Sequence, residues 1–309
     1  MASDNTANPT ASTPPPAAES TSYDEEEPLF HISLNPSKPQ TIVLLHGLLS
    51  SHVEWTFVIP HLSNYHLLLV DLPGHGRSAH LSSDPQNLTI PAMADRVASL
   101  IRRFAHPRSN TELGHGVAHI VGLSMGGFVT LDLARRYPAL CLTAFVTGAA
   151  PFEGLFAFMA RYPSIVYSIM WTCNYIPDGL YWWIARQSGM KRVDELREEQ
   201  KRNLKWEVIR SVYGSILRDC SGEKGWGVIR GLDEVRMVNV AGEKHDDLGS
   251  SRRIKEVWRE TGILERLGSR VVVVRGAVHA WNLQMPEVFA EGIVRWVGRE
   301  ELPGEFEDL

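Results

Sequence analysis

The chain has 309 residues, of which 44% are hydrophobic and 22% are charged, which is the balance of an ordinary globular protein. Its formal net charge of −5, with no basic stripe, argues against a nucleic-acid partner. Cys141, Cys173 and Cys220 lie far apart without metal-ligand spacing. We therefore expect reduced thiols, no bound metal and a cytoplasmic location.

The first 27 residues are rich in Pro, Ser, Thr, Ala and acidic residues and contain little that could be buried. This composition predicts a disordered tail over 1–27, and it lacks the charged-then-apolar order of a secretory leader. The remaining length is sufficient for one large α/β domain with an insertion, or for two small domains.

Six near-continuous runs of Val, Leu and Ile predict strands that are buried on both faces, as in a parallel sheet covered by helices. In chain order these runs are 40–47, 65–74, 117–124, 142–150, 235–243 and 270–277. Residues 28–34 predict an additional edge strand.

Helical patterns alternate with these runs. Residues 89–105 place apolar side chains at three- and four-residue spacing, and residues 285–297 carry Pro286 in their first turn. A third helix follows residue 124 and ends at Pro138, because proline cannot continue a helix. The alternation predicts an α/β fold with a doubly wound, mostly parallel sheet.

The stretch 151–232 contains helical patterns and no strand-like run, although it holds five of the nine tryptophans. We interpret it as a helical cap over the carboxyl edge of the sheet, where doubly wound folds bind ligands. The core would then consist of residues 28–150 and 233–309. Each aromatic residue alone is more simply part of the insertion's own core, but together they favour an apolar substrate cavity.

The same stretch is too often interrupted by charged residues and prolines to supply an unbroken apolar span of membrane length. We therefore expect no stable membrane insertion, and a peripheral membrane contact is left open.

A serine stands between glycines in the segment GLSMGG, residues 122–127, where a buried run meets a helical pattern. A Gly-x-Ser-x-Gly pattern at a strand-to-helix junction forces the serine into a strained turn and exposes its hydroxyl. We interpret Ser124 as a nucleophile rather than as part of an ordinary turn.

A serine nucleophile needs a base and an acid that orients the base, in the chain order Ser, acid, His on this type of sheet. His279 follows the last of the six runs and is our predicted base. The loop after the preceding run offers Glu243, Asp246 and Asp247, of which we prefer Asp246. Asp247 and, after an earlier strand, Glu153 are the alternatives.

Two backbone N–H groups are needed where negative charge develops on the substrate. We predict that Met125, directly after the nucleophile, supplies one, and that Leu48, after the first of the six runs, supplies the other. His46 is interpreted as a structural residue of that turn. The residues expected to line the substrate pocket are Leu49, Phe152, Phe156, Trp182, Trp183 and Trp281.

The segments LLHGLLSS, VDLPGHGRS, GLSMGG, VAGEKHDD and GAVHAW, in this order, resemble the α/β-hydrolase superfamily over about residues 30–299. The resemblance implies a Ser124–Asp246–His279 triad, Leu48 and Met125 as oxyanion donors, a cap and no cofactor. One departure concerns the acid, because many members have Gly-x-x-Asp where this chain has His245 in the last position.

The predicted function is hydrolysis of a carboxylic ester or thioester of an apolar small molecule through an acyl-enzyme intermediate. The alternatives are a carbon–carbon bond hydrolase or lyase that uses the same triad, and a slow or non-catalytic ligand-binding member of the fold. A serine in place of an aspartate at residue 124 argues against epoxide hydrolases and haloalkane dehalogenases.

Overall fold

The computed structural model describes residues 28–107 and 115–309, and its central element within those ranges is an eight-stranded sheet. The strands are β1 (His31–Leu34), β2 (Thr41–Leu45), β3 (His66–Val70), β4 (Ala118–Leu123), β5 (Cys141–Thr147), β6 (Met237–Gly242), β7 (Arg270–Val274) and β8 (Phe306–Asp308). Their order is β1-β3-β2-β4-β5-β6-β7-β8; β2 to β7 are parallel, and β1 and β8 are antiparallel to their neighbours. The tail predicted over 1–27 lies outside the described residues.

Helices surround this sheet. They are α1 (Ile90–Phe104), α2 (Met125–Arg136), α3 (Gly154–Ala160), α4 (Pro163–Tyr175), α5 (Asp178–Gln187), α6 (Asp194–Asn203), α7 (Trp206–Asp219), α8 (Gly222–Arg230), α9 (Leu248–Glu260), α10 (Ile263–Leu267), α11 (Trp281–Gln284) and α12 (Pro286–Gly298). Short 3-10 helices span His52–Trp55, Ile59–Leu62, Gly76–Ser83, Pro85–Leu88 and Pro138–Leu140. Within the described ranges, none of the helices has the length and apolar content needed to cross a bilayer.

The sheet is buried on both faces, which β2 illustrates. Val43 and Leu45 belong to one apolar cluster, which includes residues of α1 and α2, whereas Ile42 and Leu44 belong to a second cluster with residues of α12. Because both faces of the strand are covered, residues 42–45 are all apolar. This explains the unbroken apolar runs of the sequence and confirms the predicted fold class.

Helix α1 shows how local sequence defines an element. Thr89 accepts a hydrogen bond from the N–H of Ala92 at 3.3 Å, and Pro91 occupies the first turn, where no intrahelical N–H is needed. Met93 and Val97 are fully buried on the face toward the sheet, and the chain becomes extended at Ala105.

Strand β8 was not predicted, because Phe306 is its one apolar residue and acidic residues surround it. Its backbone pairs with β7, and Phe306 is 7% exposed. The ring of Phe306 lies against Gly292 of α12, where an added Cβ would be 2.5 Å from the ring. A three-residue strand of this kind depends on tertiary contacts rather than on local propensity.

The chain between β5 and β6 contains α3 to α8 and no strand. One residue that connects it to the rest of the molecule is Asn203, at the end of α6. The side chain of Asn203 is buried, with 1% exposed. The amide nitrogen of Asn203 donates to the carbonyls of Leu49 (3.2 Å) and Ser50 (2.9 Å), and its oxygen accepts from the N–H of Gly76 (3.1 Å). These hydrogen bonds join the insertion to two loops that follow strands of the sheet. The division into domains at residues 150 and 232 stays a prediction.

Candidate active site

Ser124 occupies a strained turn between β4 and α2. Its backbone has φ of 55° and ψ of −115°, a conformation that costs a non-glycine residue about 1–3 kcal/mol. Two hydrogen bonds hold it there: the N–H of Ser124 donates to the carbonyl of Thr147 (2.9 Å), and its own carbonyl accepts from the N–H of Phe128 (3.1 Å). Ser124 lies in the wall of the cavity described below.

The glycines on either side allow this turn to be close to its neighbours. A Cβ on Gly122 would be 2.2 Å from the hydroxyl of Thr130, and a Cβ on Gly126 would be 2.1 Å from the carbonyl oxygen of Leu45. Real Cβ atoms do not approach other atoms this closely, so α2 would have to move away from β2 and β4 to admit any side chain. The pattern read from the sequence thus has a steric cause in the structure.

His279 and Asp246 meet at the ends of two neighbouring strands. Asp246 follows β6 and His279 follows β7, and Nδ1 of the imidazole lies 2.5 Å from Oδ1 of the carboxylate. The other carboxylate oxygen accepts from the N–H of Gly242 at 2.6 Å. The backbone of Gly148 lies against the ring, since a Cβ there would be 2.6 Å from Cε1 of His279. The imidazole is thereby held in one orientation.

The pKa of His279 reflects two opposing effects. Burial lowers it, but the hydrogen bond and the negative charge of Asp246, with a smaller contribution from Glu54, raise it above the ordinary histidine value. Because Nδ1 donates to the carboxylate, Nε2 is the nitrogen that can accept a proton. This is the tautomer and the charge partner that a general base requires.

The other acidic candidates bind different groups. Asp247 caps α9, where Oδ1 accepts from the N–H groups of Gly249 and Ser250 at 2.9 Å and 3.1 Å. Glu243 accepts from the side chain of Arg275 at 2.7 Å and from the N–H of Gly276 at 2.8 Å. Glu153, the third candidate, accepts from Trp226 and Arg253. The structure therefore brings Asp246, and none of these three, to His279.

The loop with the unusual order GEKHDD reaches His279 by a tight turn. The N–H of Asp246 donates to the carbonyl of Gly242 at 3.1 Å, and the N–H of Lys244 donates to the carbonyl of Ala277 at 2.9 Å. His245 does not contact His279 through a hydrogen bond, and it lines the cavity described below.

Leu48 and Met125, whose backbone N–H groups are the predicted oxyanion donors, both line the cavity that Ser124 lines. Met125 is the first residue of α2, so its N–H has no acceptor within the helix. On the other side, the N–H of Gly47 donates to Oε2 of Glu54 at 2.9 Å and is therefore occupied. The next N–H along that turn is that of Leu48, which lines the same cavity as Ser124. The geometry thus favours Leu48 and Met125 as the pair of donors.

His46 is a structural residue in this arrangement. Its Nε2 accepts from the N–H of Leu72 at 3.0 Å, which leaves Nδ1 to donate to the carbonyl of Gly47 at 2.7 Å. Burial lowers the pKa of His46, so the ring is neutral. It holds the turn that carries Leu48.

Ser124, Asp246 and His279 open on one cavity of about 430 Å3. Other polar residues in its wall are Ser50, Glu54, Gln200, His245, Asp247 and Ser251. Most of the remaining wall is apolar and includes Leu48, Phe128, Phe152, Phe156, Met159, Val166, Met170, Tyr213 and Ile216. Because several of these come from α3, α4 and α7, the insertion forms one side of the cavity.

Four residues expected in the pocket are not in its wall, and this corrects the sequence analysis. Leu49 turns away from the cavity at a φ of 65° and contacts the cluster of Val166 and Ile209. Trp281 is fully buried in the core beneath the sheet edge, where its indole N–H donates to the hydroxyl of Thr147 at 2.8 Å.

The paired tryptophans of α5 also lie elsewhere. Trp182 is buried within the insertion, and Trp183 is 59% exposed on its outer surface. Successive residues of a helix project about 100° apart, so one of two adjacent side chains can be buried while the other is exposed. Phe152 and Phe156, by contrast, do line it.

Glu54 is one of the polar cavity residues that sequence reasoning missed. Its side chain is 5% exposed, and burial raises its pKa, although the hydrogen bond from Gly47 opposes that shift. The signal in the sequence was an acidic residue between Val53 and Trp55, both of which are buried. Buried carboxyl groups are rare unless a partner or a function retains them.

No group of three or more His, Cys, Asp or Glu side chains within residues 28–107 and 115–309 is arranged to hold a metal ion. The three cysteines form no disulfide, and Cys141 and Cys220 are buried.

Comparison with known proteins identifies the relatives of this arrangement. A model of the alpha/beta hydrolase family matches residues 42–292. An AB hydrolase superfamily protein of Gibberella zeae is 30% identical over 288 residues, which cover 91% of this chain and 88% of that protein. A pimeloyl-(acyl-carrier protein) methyl ester esterase of Sodalis glossinidius is 37% identical over 98 residues, which cover 31% of this chain and 32% of the esterase.

Among solved structures, that of MenH from S. aureus is similar with a TM-score of 0.62 at 16% identity. The similarity covers 89% of this chain and 99% of that one. At this identity the similarity shows a shared fold.

Proposed function

This chain belongs to the alpha/beta hydrolase family, and from that premise we propose that it is a serine hydrolase of carboxylic esters or thioesters. The observation that carries the proposal is the hydrogen bond between Asp246 and His279 at the edge of the cavity that Ser124 also faces. A nucleophile on a strained turn, a base and an orienting acid are the parts that acyl transfer requires.

In the first half of the reaction, Oγ of Ser124 forms a bond to the substrate carbonyl carbon while Nε2 of His279 takes the hydroxyl proton. The carbonyl electrons move to its oxygen, which accepts from the N–H groups of Leu48 and Met125. When the tetrahedral intermediate collapses, the ester bond breaks and His279 gives its proton to the departing alcohol or thiol. The acyl group remains on Ser124.

In the second half, a water molecule attacks the acyl carbon, and His279 takes its proton. Collapse of this intermediate returns the proton to Oγ of Ser124 and releases the carboxylic acid. Asp246 stabilises the imidazolium that forms in each half and holds Nε2 toward the reacting atoms. The reaction needs no metal or organic cofactor.

The substrate class is inferred from the cavity. Its wall is mostly apolar, and its volume of about 430 Å3 fits a small molecule. The named relative from Sodalis glossinidius is an ester hydrolase, which supports an ester for this chain. We further propose that the helical insertion acts as a cap that selects the acyl group, with an apolar or aromatic group preferred. The free cysteines fit the reducing conditions of the cytoplasm.

A fluorophosphonate probe tests the nucleophile, because it reacts covalently with an activated serine. We expect one adduct on Ser124, which Ser124→Ala abolishes. Ser251→Ala is the matched control, since Ser251 also lines the cavity and is expected to leave labelling intact. Absence of labelling in the folded wild type would overturn the acyl-enzyme mechanism.

A series of p-nitrophenyl esters tests the substrate class. We expect turnover to be best with medium-length apolar or aromatic acyl groups. Fastest turnover on charged acyl groups would contradict the proposed selectivity. A protein that is labelled at Ser124 but hydrolyses neither esters nor thioesters would instead support the carbon–carbon bond alternative or a ligand-binding role.

A further inference from the structure

The insertion has an apolar outer surface. Within the described residues, the large apolar side chains that are exposed to solvent all lie between residues 155 and 184. We define the outer face by six of them, which are Leu155, Phe158, Ile165, Ile169, Trp171 and Trp183, each at least 45% exposed. Exposed apolar side chains are seldom concentrated in this way on monomeric proteins, and such a concentration indicates an interaction surface.

Helix α4 shows that this surface lacks a cover. Val166 and Met170 face inward and line the cavity, whereas Ile165 and Ile169 lie on the opposite side of the same helix and are 46% and 49% exposed. A helix that is apolar on both sides is normally buried on both sides. Within this chain, one side of α4 is covered by the cavity wall and the other side is covered by nothing that the structure describes.

Two hydroxyl groups of this helix are satisfied by its own backbone. The hydroxyl of Ser168 donates to the carbonyl of Ser164 at 2.8 Å, and the hydroxyl of Thr172 donates to the carbonyl of Ser168 at 2.8 Å. Residues 163–175 contain no charged side chain. Hydroxyls that bond back to their own helix need no external partner, which is the requirement for contact with an apolar medium.

In the segment that carries the outer face, arginines outnumber acidic residues. Residues 154–187 contain Arg161 and Arg186, both exposed, and a single acidic residue, Asp178. Asp178 is paired with Arg197 (3.2 Å) and Lys201 (3.0 Å). This cationic rim stands on a chain whose formal net charge is −5. It is therefore complementary to a negatively charged surface.

We propose that the outer face docks on the surface of a lipid bilayer that contains anionic headgroups. The apolar side chains of α3, α4 and α5 enter the boundary between headgroups and acyl chains, and Arg161 and Arg186 contact the headgroups. Tryptophan suits this depth because its ring is amphipathic. A second copy on the same face would oppose these arginines with arginines, so the rim charge disfavours a symmetric dimer there.

The docked orientation would place the cavity near the lipid. Phe156 is both 46% exposed beside the outer face and part of the cavity wall. An apolar substrate dissolved in the bilayer could then enter without crossing water. The docking itself requires no catalysis and is independent of the proposed hydrolase reaction.

Flotation with vesicles tests the proposal on the full-length chain. We expect the protein to float with vesicles of phosphatidylcholine and phosphatidylserine, and to float less with phosphatidylcholine alone. Ile165→Ser with Ile169→Ser removes apolar contact without touching the cavity wall, and we expect binding about tenfold weaker or more. Failure of the wild type to bind either vesicle would overturn the proposal.

A charge-reversed variant tests the same proposal if the serine variant folds poorly. Arg161→Glu with Arg186→Glu is expected to abolish the preference for phosphatidylserine. The matched control is Arg252→Glu with Arg259→Glu, which changes the same charge on the exposed surface of α9 and is expected to retain most of the binding. Equal loss in both double variants would mean that net charge, rather than this face, drives binding, and would contradict the proposal.

Two further measurements distinguish a lipid bilayer from a second copy of the chain as the partner of the outer face. Brominated acyl chains quench tryptophans that enter the bilayer, so we expect quenching in the wild type and less in Trp171→Phe with Trp183→Phe. Size-exclusion chromatography reports the oligomeric state. A dimer that Ile165→Ser with Ile169→Ser converts to a monomer, together with no flotation, would assign the face to a second copy and overturn lipid docking.

Discussion

The backbone N–H of Gly47 donates a hydrogen bond of 2.9 Å to the buried carboxyl group of Glu54. This contact closes the turn that carries Leu48, and it removes the N–H of Gly47 from the donors available to a substrate. It also places a carboxyl group in the cavity wall, where its charge contributes to the raised pKa of His279. Glu54 is therefore positioned to affect both the turn of Leu48 and the imidazole of His279.

Substitutions of Glu54 are expected to separate these effects. Glu54→Gln keeps an oxygen that can accept from Gly47, so we expect it to fold normally and retain most of its activity. Glu54→Ala leaves the N–H of Gly47 buried without a partner, which is expected to cost about 1–3 kcal/mol in the free energy of unfolding and to lower kcat/KM. Urea denaturation and ester kinetics measure the two quantities. Equal damage in both variants would show that the carboxylate itself, not the accepted hydrogen bond, is required.

The pH dependence of kcat/KM is expected to report the raised pKa of His279. The neutral imidazole is the reactive form, so activity rises with pH as His279 loses its proton. Because the folded-state pKa is raised, this acid limb is expected to lie above the ordinary value of about 6.5. In stability, protonated His279 favours the folded state below that ordinary value, and the contribution is lost as the pH rises through the raised pKa.

Asp246→Asn is expected to remove the main cause of that raised pKa and to reduce kcat by about 10³-fold or more, because the imidazole loses its charge partner and its tautomer. Asp247→Ala is the matched comparison. It removes the cap of α9 and is expected to lower the free energy of unfolding by about 1 kcal/mol while leaving most of the activity. If turnover were greatly reduced in Asp247→Ala and near normal in Asp246→Asn, the acid would be Asp247 and not Asp246.

The strained backbone of Ser124 predicts a gain in stability when activity is lost. Ser124→Gly removes the side chain that makes φ of 55° unfavourable, and Ser124→Ala does not. Both variants are expected to be inactive, and the glycine variant is expected to exceed the alanine variant by about 1 kcal/mol in the free energy of unfolding. Thermal denaturation of the two proteins in parallel measures the difference. An alanine variant at least as stable as the glycine variant would show that the turn stores no strain.

Asn203 is expected to control how firmly the insertion sits on the core. Asn203→Ala leaves the carbonyls of Leu49 and Ser50 and the N–H of Gly76 without this partner, at a cost of about 1–3 kcal/mol. We also expect faster hydrogen exchange in α6 and a higher KM. Asn203→Asp keeps the acceptor for Gly76 but places a carboxylate against two carbonyls, so it is expected to be no better. Full rescue by Asn203→Asp would mean that the bond to Gly76 alone matters.

Much of the fold was predictable because its signals are local. Strands buried on both faces produce unbroken apolar runs, and a proline or a capping threonine marks a helix end within a few residues. The turn at Ser124 was predictable for the same reason, since the close approach of α2 to β2 and β4 admits only glycine at residues 122 and 126.

Several features were not predictable because they depend on distant parts of the chain. Strand β8 exists because β7 presents an unpaired edge and Gly292 leaves room for Phe306. Trp281 was expected in the cavity and lies in the core. An indole ring can be accommodated in either place, and in the core its N–H finds an acceptor in the hydroxyl of Thr147. The catalytic roles of Ser124, Asp246 and His279 stay predictions that the variants above test.

The sequence by itself determined the alternation of strands and helices, the strained turn and the strand ends that carry chemistry, because each depends on neighbours in the chain. Only the tertiary structure decided which carboxylate meets His279. In the loop after β6, Asp246 accepts from the N–H of Gly242, whereas the next residue, Asp247, accepts from the N–H of Gly249 and caps α9. Asp246 and His279 are 33 positions apart in the chain, so the distance between them is determined by packing, which no local pattern encodes.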